Sequence, residues 1–303
     1  MTSSPRLLAR AAWEAAGADH ARRADSLTAG RRARVARGDS HAVDDFLYTY
    51  YPTRPAQLRR WHPGAGVVLA AEGGPPAPHA GWRWYRTSSA GDVSLDLGLF
   101  LSERDRAVRQ VRGLLAAIRG RPAFTGCFGL HEWAMVYGTG STRHDLPLRL
   151  GAGATDRFVE SRDIRCSHFD AFRFFTAGAR PRNATVLTRE DQEEHEQPGC
   201  VHVSMDSHRY ALKLGPLVPG PVALDCFELA RDARSLDMRA SPYDLRGYGE
   251  EPVRIETPDG RAEYARQQRA LAERAGLLQE ELLRIAAAAL GPAPGPPEGP
   301  PAA

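Results

Sequence analysis

Apolar residues at helical spacing in the second half of the chain constrain its fold most. Within 221–238 and within 263–290, large apolar residues return at intervals that place them on one face of a helix. Each segment therefore predicts a long amphipathic helix that must bury its apolar face against other elements. The residues concerned are Leu224, Phe227, Leu229 and Leu236 in the first segment, and Leu271, Leu278, Leu282 and Ile285 in the second.

Strand-like alternation is confined to a short part of the chain. The apolar run 67–71, the region of Trp82 and Trp84, and the segment 93–100 are typical of short strands. The segment 158–175 also has mixed strand character. Together with the helical segments, these patterns predict an α+β fold: a helix-rich single domain with a small mixed or antiparallel sheet near the N-terminal half.

Composition divides the chain into three parts. Residues 1–40 are rich in Ala and Arg and predict a basic helical segment that breaks near Gly30 and ends near Gly38. We expect residues 41–290 to form a single globular catalytic domain. The tail 291–303, GPAPGPPEGPPAA, lacks the apolar residues needed to pack, and we expect it to be disordered. Hydrophobic residues make up 42% of the chain and charged residues 25%, which excludes a wholly disordered or collagen-like protein.

Location and redox state are inferred from what the sequence lacks. No stretch approaches the ~18 apolar residues that span a bilayer, and the N-terminus has no apolar core of a secretory signal. We therefore expect a cytoplasmic protein with no membrane partner. The four cysteines are widely spaced, which argues against a disulfide framework in such a chain.

Two Cys-x-His units form one candidate metal site. Cys166 and His168, like Cys200 and His202, are separated by one residue, so in an extended segment both side chains of a unit face the same way. Two such units that faced each other would provide a tetrahedral zinc site. His168 and Asp170 also form half of an iron triad that would need a distant histidine. The alternatives are a zinc- or iron-dependent enzyme acting on a small molecule, a non-catalytic zinc-stabilised binding module, or simply buried cysteines.

Carboxylates in apolar surroundings suggest a chemistry that needs no metal. Glu132 follows His131 in the apolar segment CFGLHEWAMVY, and Asp170 lies among phenylalanines in CSHFDAFRFF. A carboxylate in an aromatic pocket can orient water and stabilise the cationic sugar formed when an N-glycosidic bond breaks. Core ion pairs, for example between Asp170 and Arg173, are the alternative for each residue.

The basic residues are lopsided, because Lys213 is the only lysine among 40 basic residues. An amine can lose its proton and form a Schiff base, whereas a guanidinium cannot. Upstream, the segment 44–64 interleaves aromatic residues with Arg54, Arg59 and Arg60, a pattern that suits stacking on bases and pairing with phosphates. A core segment whose arginines point outward would have the same pattern.

Several blocks resemble a family of actinobacterial proteins labelled 3-methyladenine DNA glycosylase. They are YYPTRPAQLRRWHPGAGVVL, CFGLHEWAMVY, CSHFDAFRFF, EQPGCVHVSMD and FELARDARSLDMRASPYDL, and the resemblance covers about residues 44–269. It implies excision of alkylated bases from DNA.

The resulting hypothesis is a DNA N-glycosylase, a hydrolase of base-excision DNA repair that acts on an alkylated purine with DNA as partner and no cofactor. Asp170 or Glu132 would orient water, and Lys213 would assist or form a covalent imine. The other candidate residues are His131 and His168 for catalysis, Trp133, Phe169 and Tyr210 for stacking, and Arg54, Arg59 and Arg60 for phosphates.

Overall fold

The computed structural model describes residues 5–139, 142 and 144–291. The helices within these residues are α1 (Arg10–Arg37), α2 (Phe46–Thr49), α3 (Pro55–Leu58), α4 (Leu97–Arg119), α5 (Leu130–Ala134), α6 (Ala152–Glu160), α7 (Phe169–Phe172), α8 (Gln192–His195), α9 (Val201–Leu214), α10 (Gly220–Arg239) and α11 (Pro258–Leu290). Apart from Gly291, the tail predicted to be disordered lies outside the described residues. Among the described helices, none is long and apolar enough to cross a membrane.

One small sheet accompanies these helices. Its strands are β1 (Arg6–Leu8), β2 (Val67–Leu69), β3 (Tyr85–Thr87) and β4 (Val93–Leu95), in the order β1-β2-β4-β3. β1 runs parallel to β2, whereas β2–β4 and β4–β3 are antiparallel. The sheet is therefore mixed, and the predicted helix-rich α+β fold is confirmed.

The N-terminal segment belongs to the same sheet and core as the rest of the chain. β1 pairs with β2, and α1 buries Trp13, His20 and Ala24. α1 is one continuous helix, so the break predicted near Gly30 is absent, because a single helical glycine costs only ~1 kcal/mol. It ends as predicted at Gly38, whose φ of 75° is the left-handed conformation that glycine adopts without strain.

Helix α9 forms the centre of the molecule. It packs against α4, α10 and α11, and 11 of its 14 residues are buried. These include the polar side chains of His202, Asp206 and His208, so polar groups lie inside the protein between two apolar clusters. The centre of this fold therefore contains buried ionisable side chains.

Two sequence predictions differ from the structure. Residues 158–175 contain the end of α6, a connecting loop and α7 rather than strands, because their aromatic side chains fill the core beside short helices. The strand predicted over 93–100 ends at Leu95, since Asp96 Oδ1 accepts a hydrogen bond from the Leu99 amide at 2.9 Å and thereby starts α4.

Candidate functional site

An open cleft of about 450 Å³ lies beside α9 and is rich in positive charge. Four arginines and one lysine line it against a single carboxylate, Asp170. Such an excess of positive charge attracts anionic ligands. The lining residues are Tyr50, Tyr51, Pro52, Arg104, Asp170, Arg173, Arg189, Arg209, Leu212 and Lys213. We call this feature the arginine-lined cleft.

Asp170 is the anchor for three of these arginines. Its carboxylate lies 2.7 Å from Arg209, 2.6 Å from Arg189 and 3.3 Å from Arg173. Burial alone would raise the pKa of Asp170, but the hydrogen bond and charge of Arg209 lower it well below its usual range. Asp170 is therefore a permanent anion that fixes the positions of the guanidinium groups.

Lys213 lies two turns after Asp206 on α9 and is half-buried at the edge of the same cleft. Burial lowers its pKa, and the positive charge of Arg209 lowers it further. Within the part of the chain that the structure describes, the Lys213 amine forms no ion pair. The amine is thus the nucleophile of the cleft with the easiest access to its neutral form.

Two tyrosines form the aromatic side of the cleft. The Arg209 guanidinium carbon lies 5.6 Å from the ring centre of Tyr50 and 5.3 Å from that of Tyr51. Arg209 also donates a hydrogen bond to the Tyr50 hydroxyl at 3.2 Å. Tyr50 is partly exposed and Tyr51 is buried, so Tyr50 offers the accessible aromatic surface.

A buried ionic network continues from the cleft into the protein. It consists of His131, Glu132, His168, Glu196, His202, Asp206, Arg234 and Asp237. Asp206 connects the network to the cleft, since its carboxylate lies 3.3 Å from Arg209 and accepts a hydrogen bond from the Tyr51 hydroxyl at 2.8 Å.

One half of this network is a closed set of ion pairs. The Asp237 carboxylate lies 2.7 Å from His131 Nε2 and 3.1 Å from Arg234, which also donates to Glu132 at 3.0 Å. Burial alone would lower the pKa of His131, but Asp237 raises it well above its usual value. His202 lies beside this set, with its pKa lowered by burial and by His131. His131 is therefore charged and His202 neutral.

The structure brings together part of the candidate site predicted from the sequence. Asp170 and Lys213 line the arginine-lined cleft, and His168 lies beneath it in the ionic network. Glu132 and Asp170 also border a small cavity of about 30 Å³, although Glu132 is buried and paired with Arg234. Phe169 is partly buried, with the Arg189 guanidinium 4.8 Å from its ring centre.

Two of the predicted stacking residues are placed where no base can reach them. Trp133 is fully buried against Phe158, and its indole N–H donates to the Ala240 carbonyl oxygen at 2.8 Å. Tyr210 is 1% exposed, in the apolar core of α9. Trp133 and Tyr210 are core residues because they lie on the sides of α5 and α9 that face the protein interior.

The predicted phosphate-binding arginines do not line the cleft. Arg54 is exposed, Arg59 pairs with Asp25 at 3.0 Å, and Arg60 lies 5.8 Å from the ring centre of Trp82. They belong to the surface near α1 and α3, so the arginines of the cleft come from other segments.

The Cys₂His₂ arrangement expected from the two Cys-x-His units is also corrected. Among the described residues, neither Cys166 nor Cys200 belongs to a group whose ligand atoms could share one ion. Cys166 Sγ contacts the His168 carbonyl oxygen at 3.6 Å, and Cys200 precedes α9 as its N-cap. Burial raises the pKa of both thiols, so both remain protonated.

Several residues of the site are not predicted by the sequence. Arg189 and Glu196 lie in an acidic, polar stretch that is typical of a surface loop, yet Glu196 is fully buried. One signal was present in the sequence: Asp206, Arg209 and Lys213 are three and four residues apart, so on a helix they share one face.

Comparison with known proteins gives no relative. No family model matches the chain, and neither a curated protein nor a solved structure matches it. A function for this chain therefore has to be inferred from the geometry of the site.

Proposed function

We propose that the protein is a DNA N-glycosylase that removes an alkylated purine, with the arginine-lined cleft as its nucleotide site. The observation that supports this most is the position of Lys213, the only lysine, in a cleft of four arginines beside Tyr50 and Asp170. The volume of about 450 Å³ lies within the range of small-ligand sites and suits one extruded nucleotide.

In this proposal, the arginines bind the phosphates on either side of the extruded nucleotide. Arg173 and Arg189 are the most accessible, with side chains 42% and 54% exposed, and both are held by Asp170. A guanidinium suits this task because its planar donors match phosphate oxygens in pairs. The partly exposed ring of Tyr50 contacts the base.

Lys213 is the nucleophile of the proposed reaction. Its neutral amine attacks C1′ of the deoxyribose, and the N-glycosidic bond breaks with its electron pair moving to the alkylated base, which leaves uncharged. The added amine loses a proton to water, and opening of the sugar ring gives an imine between Lys213 and C1′. Hydrolysis of the imine then releases the abasic site.

Asp170 contributes charge rather than base catalysis in this proposal. Its three arginine contacts keep it ionised, so it is a poor proton acceptor. A fixed carboxylate beside the sugar can still stabilise the positive charge that develops as the base departs. We therefore expect Asp170→Asn to lower the rate of base release and to loosen the positions of Arg189 and Arg209.

The decisive experiment is borohydride trapping on a DNA duplex that contains 3-methyladenine. We expect wild-type protein to release the free base and to yield a covalent protein–DNA adduct on reduction. Lys213→Arg keeps the positive charge but loses the nucleophile, so it should bind DNA and form no adduct. Arg106→Met, at an exposed residue of α4 outside the cleft, is the control and should behave as wild type.

Three results would contradict parts of this proposal. Wild-type protein that releases no base from alkylated DNA removes the glycosylase assignment. An adduct that persists in Lys213→Arg removes Lys213 as nucleophile. Base release at the wild-type rate in Asp170→Asn removes the role of Asp170.

A further inference from the structure

We propose that His168, Glu196 and Asp206 bind one divalent transition-metal ion beneath the arginine-lined cleft. The three side chains are buried, and their ligand atoms lie within 4.8 Å of one another. They come from three separate segments: the residue before α7, the residue after α8, and the middle of α9. The site is independent of the proposed glycosylase reaction, which uses no metal.

The distances in this group fit ligation better than hydrogen bonding. His168 Nε2 lies 3.2 Å from Glu196 Oε1 and 3.3 Å from Asp206 Oδ2. A charged hydrogen bond of this kind is typically ~2.7–2.9 Å, and one N–H can point at only one of two acceptors. Ligand atoms held ~2.1 Å from a common ion lie ~3.0–3.4 Å apart, which matches both distances.

The charge balance and the hydrogen bonds of the group also favour a bound cation. Glu196 and Asp206 bring two buried carboxylates together, and Arg209 lies 3.3 Å from Asp206. Among the described residues, Glu196 forms an ion pair with His168 but with no arginine or lysine, and burying a charge with little compensation is costly. Glu196 Oε1 accepts a hydrogen bond from Gln192 at 2.7 Å, but Oε2 is fully buried with no partner among the described residues. A divalent ion would balance the charge of Glu196 and, when both carboxylate oxygens bind it, would provide the missing partner of Oε2.

The neighbouring group of His131, His202 and Asp237 differs in this respect. Its ligand atoms also lie within 4.8 Å of one another. However, His131 and Asp237 are 2.7 Å apart, as in a direct ion pair, and Arg234 supplies a positive charge 3.1 Å from Asp237. Asp237 therefore has both a histidine and an arginine as partners, whereas Glu196 has no arginine or lysine partner among the described residues, so we place the ion at His168, Glu196 and Asp206.

The donor atoms indicate the class of ion. One imidazole nitrogen with two carboxylates is a set that zinc and ferrous iron both accept. Asp206 accepts a hydrogen bond from Tyr51, and Glu196 accepts one from Gln192. Tyr51 and Gln192 thus resemble the outer partners that orient metal-bound carboxylates. Because Asp206 also lies beside Arg209, the ion would sit one residue away from the wall of the cleft.

Metal content of the full-length protein tests the proposal. Protein is expressed in medium supplemented with Zn²⁺ or with Fe²⁺, purified without chelator and analysed by mass spectrometry of the elements. We expect one equivalent of metal in the wild type and in Glu194→Gln, a control at an exposed glutamate of the same segment. Glu196→Gln has the same shape without the charge and should contain no more metal than a buffer blank.

A titration measures how much the substitution weakens the affinity for the metal ion. Chelator-treated protein is titrated with Zn²⁺ against a competing dye. Glu196→Gln should weaken binding by more than about 100-fold, which exceeds the ~10–100-fold typical for loss of an outer partner. If this variant does not fold, the visible spectrum of Co²⁺-loaded wild type decides, and bands of a cobalt ion with nitrogen and oxygen ligands are expected.

The proposal is overturned by wild-type protein that holds no metal from either medium and binds none in the titration. It is equally overturned if Glu196→Gln keeps the wild-type metal content, if Glu194→Gln loses it, or if the Co²⁺ spectrum shows no ligand bands. Loss of base release in the glycosylase assay leaves these readouts unchanged, so failure of one proposal is distinguishable from failure of the other.

Discussion

Two regions of this molecule contain buried histidines, and His131 in one region differs from His20 and His79 in the other in the direction of its pKa shift. In the ionic network, His131 faces the Asp237 carboxylate, which raises its pKa even though burial alone would lower it. In the second region, His20 and His79 contact the backbone carbonyls of Leu58 and Trp61, each at 2.8 Å, and burial lowers both pKa values. We call the second region the histidine–aromatic cluster; its rings are His62, His79, Trp61, Trp82 and Tyr85, and His20 borders the same cavity as His62.

The difference shows that the partner, rather than the residue type, sets the charge of a buried histidine. A carboxylate 2.7 Å away stabilises the imidazolium of His131, whereas burial among aromatic rings disfavours the imidazolium of His79 more than its hydrogen bond to the Trp61 carbonyl favours it. Acid should therefore leave the His131–Asp237 pair intact and weaken the histidine–aromatic cluster. Substitutions in each region test whether the charge state of its histidines contributes to stability.

Arg234→Met has the largest expected effect. Arg234 is 2% exposed and bridges Glu132 and Asp237, so its loss removes the ion-pair partner of Glu132 and one of the partners of Asp237. Removal of one partner from such a buried set costs about 3–5 kcal/mol. Urea unfolding at pH 7 measures this loss in the free energy of unfolding.

Arg231→Met is the matched control on the same helix. Its guanidinium is 42% exposed and only 4.0 Å from Asp232, so the change should be within about 0.5 kcal/mol. A loss below ~1 kcal/mol for Arg234→Met would show that the ionic network contributes little to stability.

His131→Gln tests the charged histidine through its pH dependence. A raised pKa means that the stabilisation by His131 is fully present below the ordinary histidine pKa and is lost as the pH rises through the folded-state value. We expect the variant to lose about 2–3 kcal/mol at pH 6 and distinctly less at pH 9. Urea unfolding at the two pH values measures this, and an equal loss at both would mean that His131 is neutral.

His20→Gln tests the opposite case. Because the pKa of His20 is lowered, the unfolded chain takes up the proton first, and the wild type loses stability as the pH falls below the ordinary histidine value. Glutamine keeps a donor for the Leu58 carbonyl but cannot titrate. We expect the variant to lose about 1 kcal/mol less than the wild type between pH 7 and pH 5. Parallel pH profiles for the two proteins would show that His20 is not the group that titrates.

The sequence predicts the helices well because their apolar spacing is local information. The segments 221–238 and 263–290 lie within α10 and α11, and three of the four strands of the sheet fall in the region where alternation occurs. The fourth strand, β1 (Arg6–Leu8), lies in the N-terminal segment for which the sequence predicts only a helix. The strand character predicted for 158–175 is wrong because a run of aromatic residues fits a strand and a short buried helix equally well.

The candidate site was only partly predictable, because its contacts span the chain. Asp170 and Lys213 could be singled out by residue type and surroundings, but Arg189 and Glu196 differ from ordinary surface residues only through their distant partners. Similarly, Trp133 resembles a stacking residue in the sequence until Phe158 covers it. Spacing along one segment cannot reveal such pairings.

Tyr85→Phe has the smallest expected effect and tests whether neutral contacts hold the histidine–aromatic cluster. The Tyr85 hydroxyl and His62 Nδ1 share a hydrogen bond of 2.8 Å, and the two rings stack 5.9 Å apart. Phenylalanine keeps the stack and removes only a neutral hydrogen bond, so we expect a loss of about 0.5–1.5 kcal/mol at pH 7. Thermal and urea unfolding measure it, with the more exposed Tyr248→Phe as control. A loss as large as that of Arg234→Met would mean that the cluster, like the ionic network, depends on charge, and the contrast between the two regions would fail.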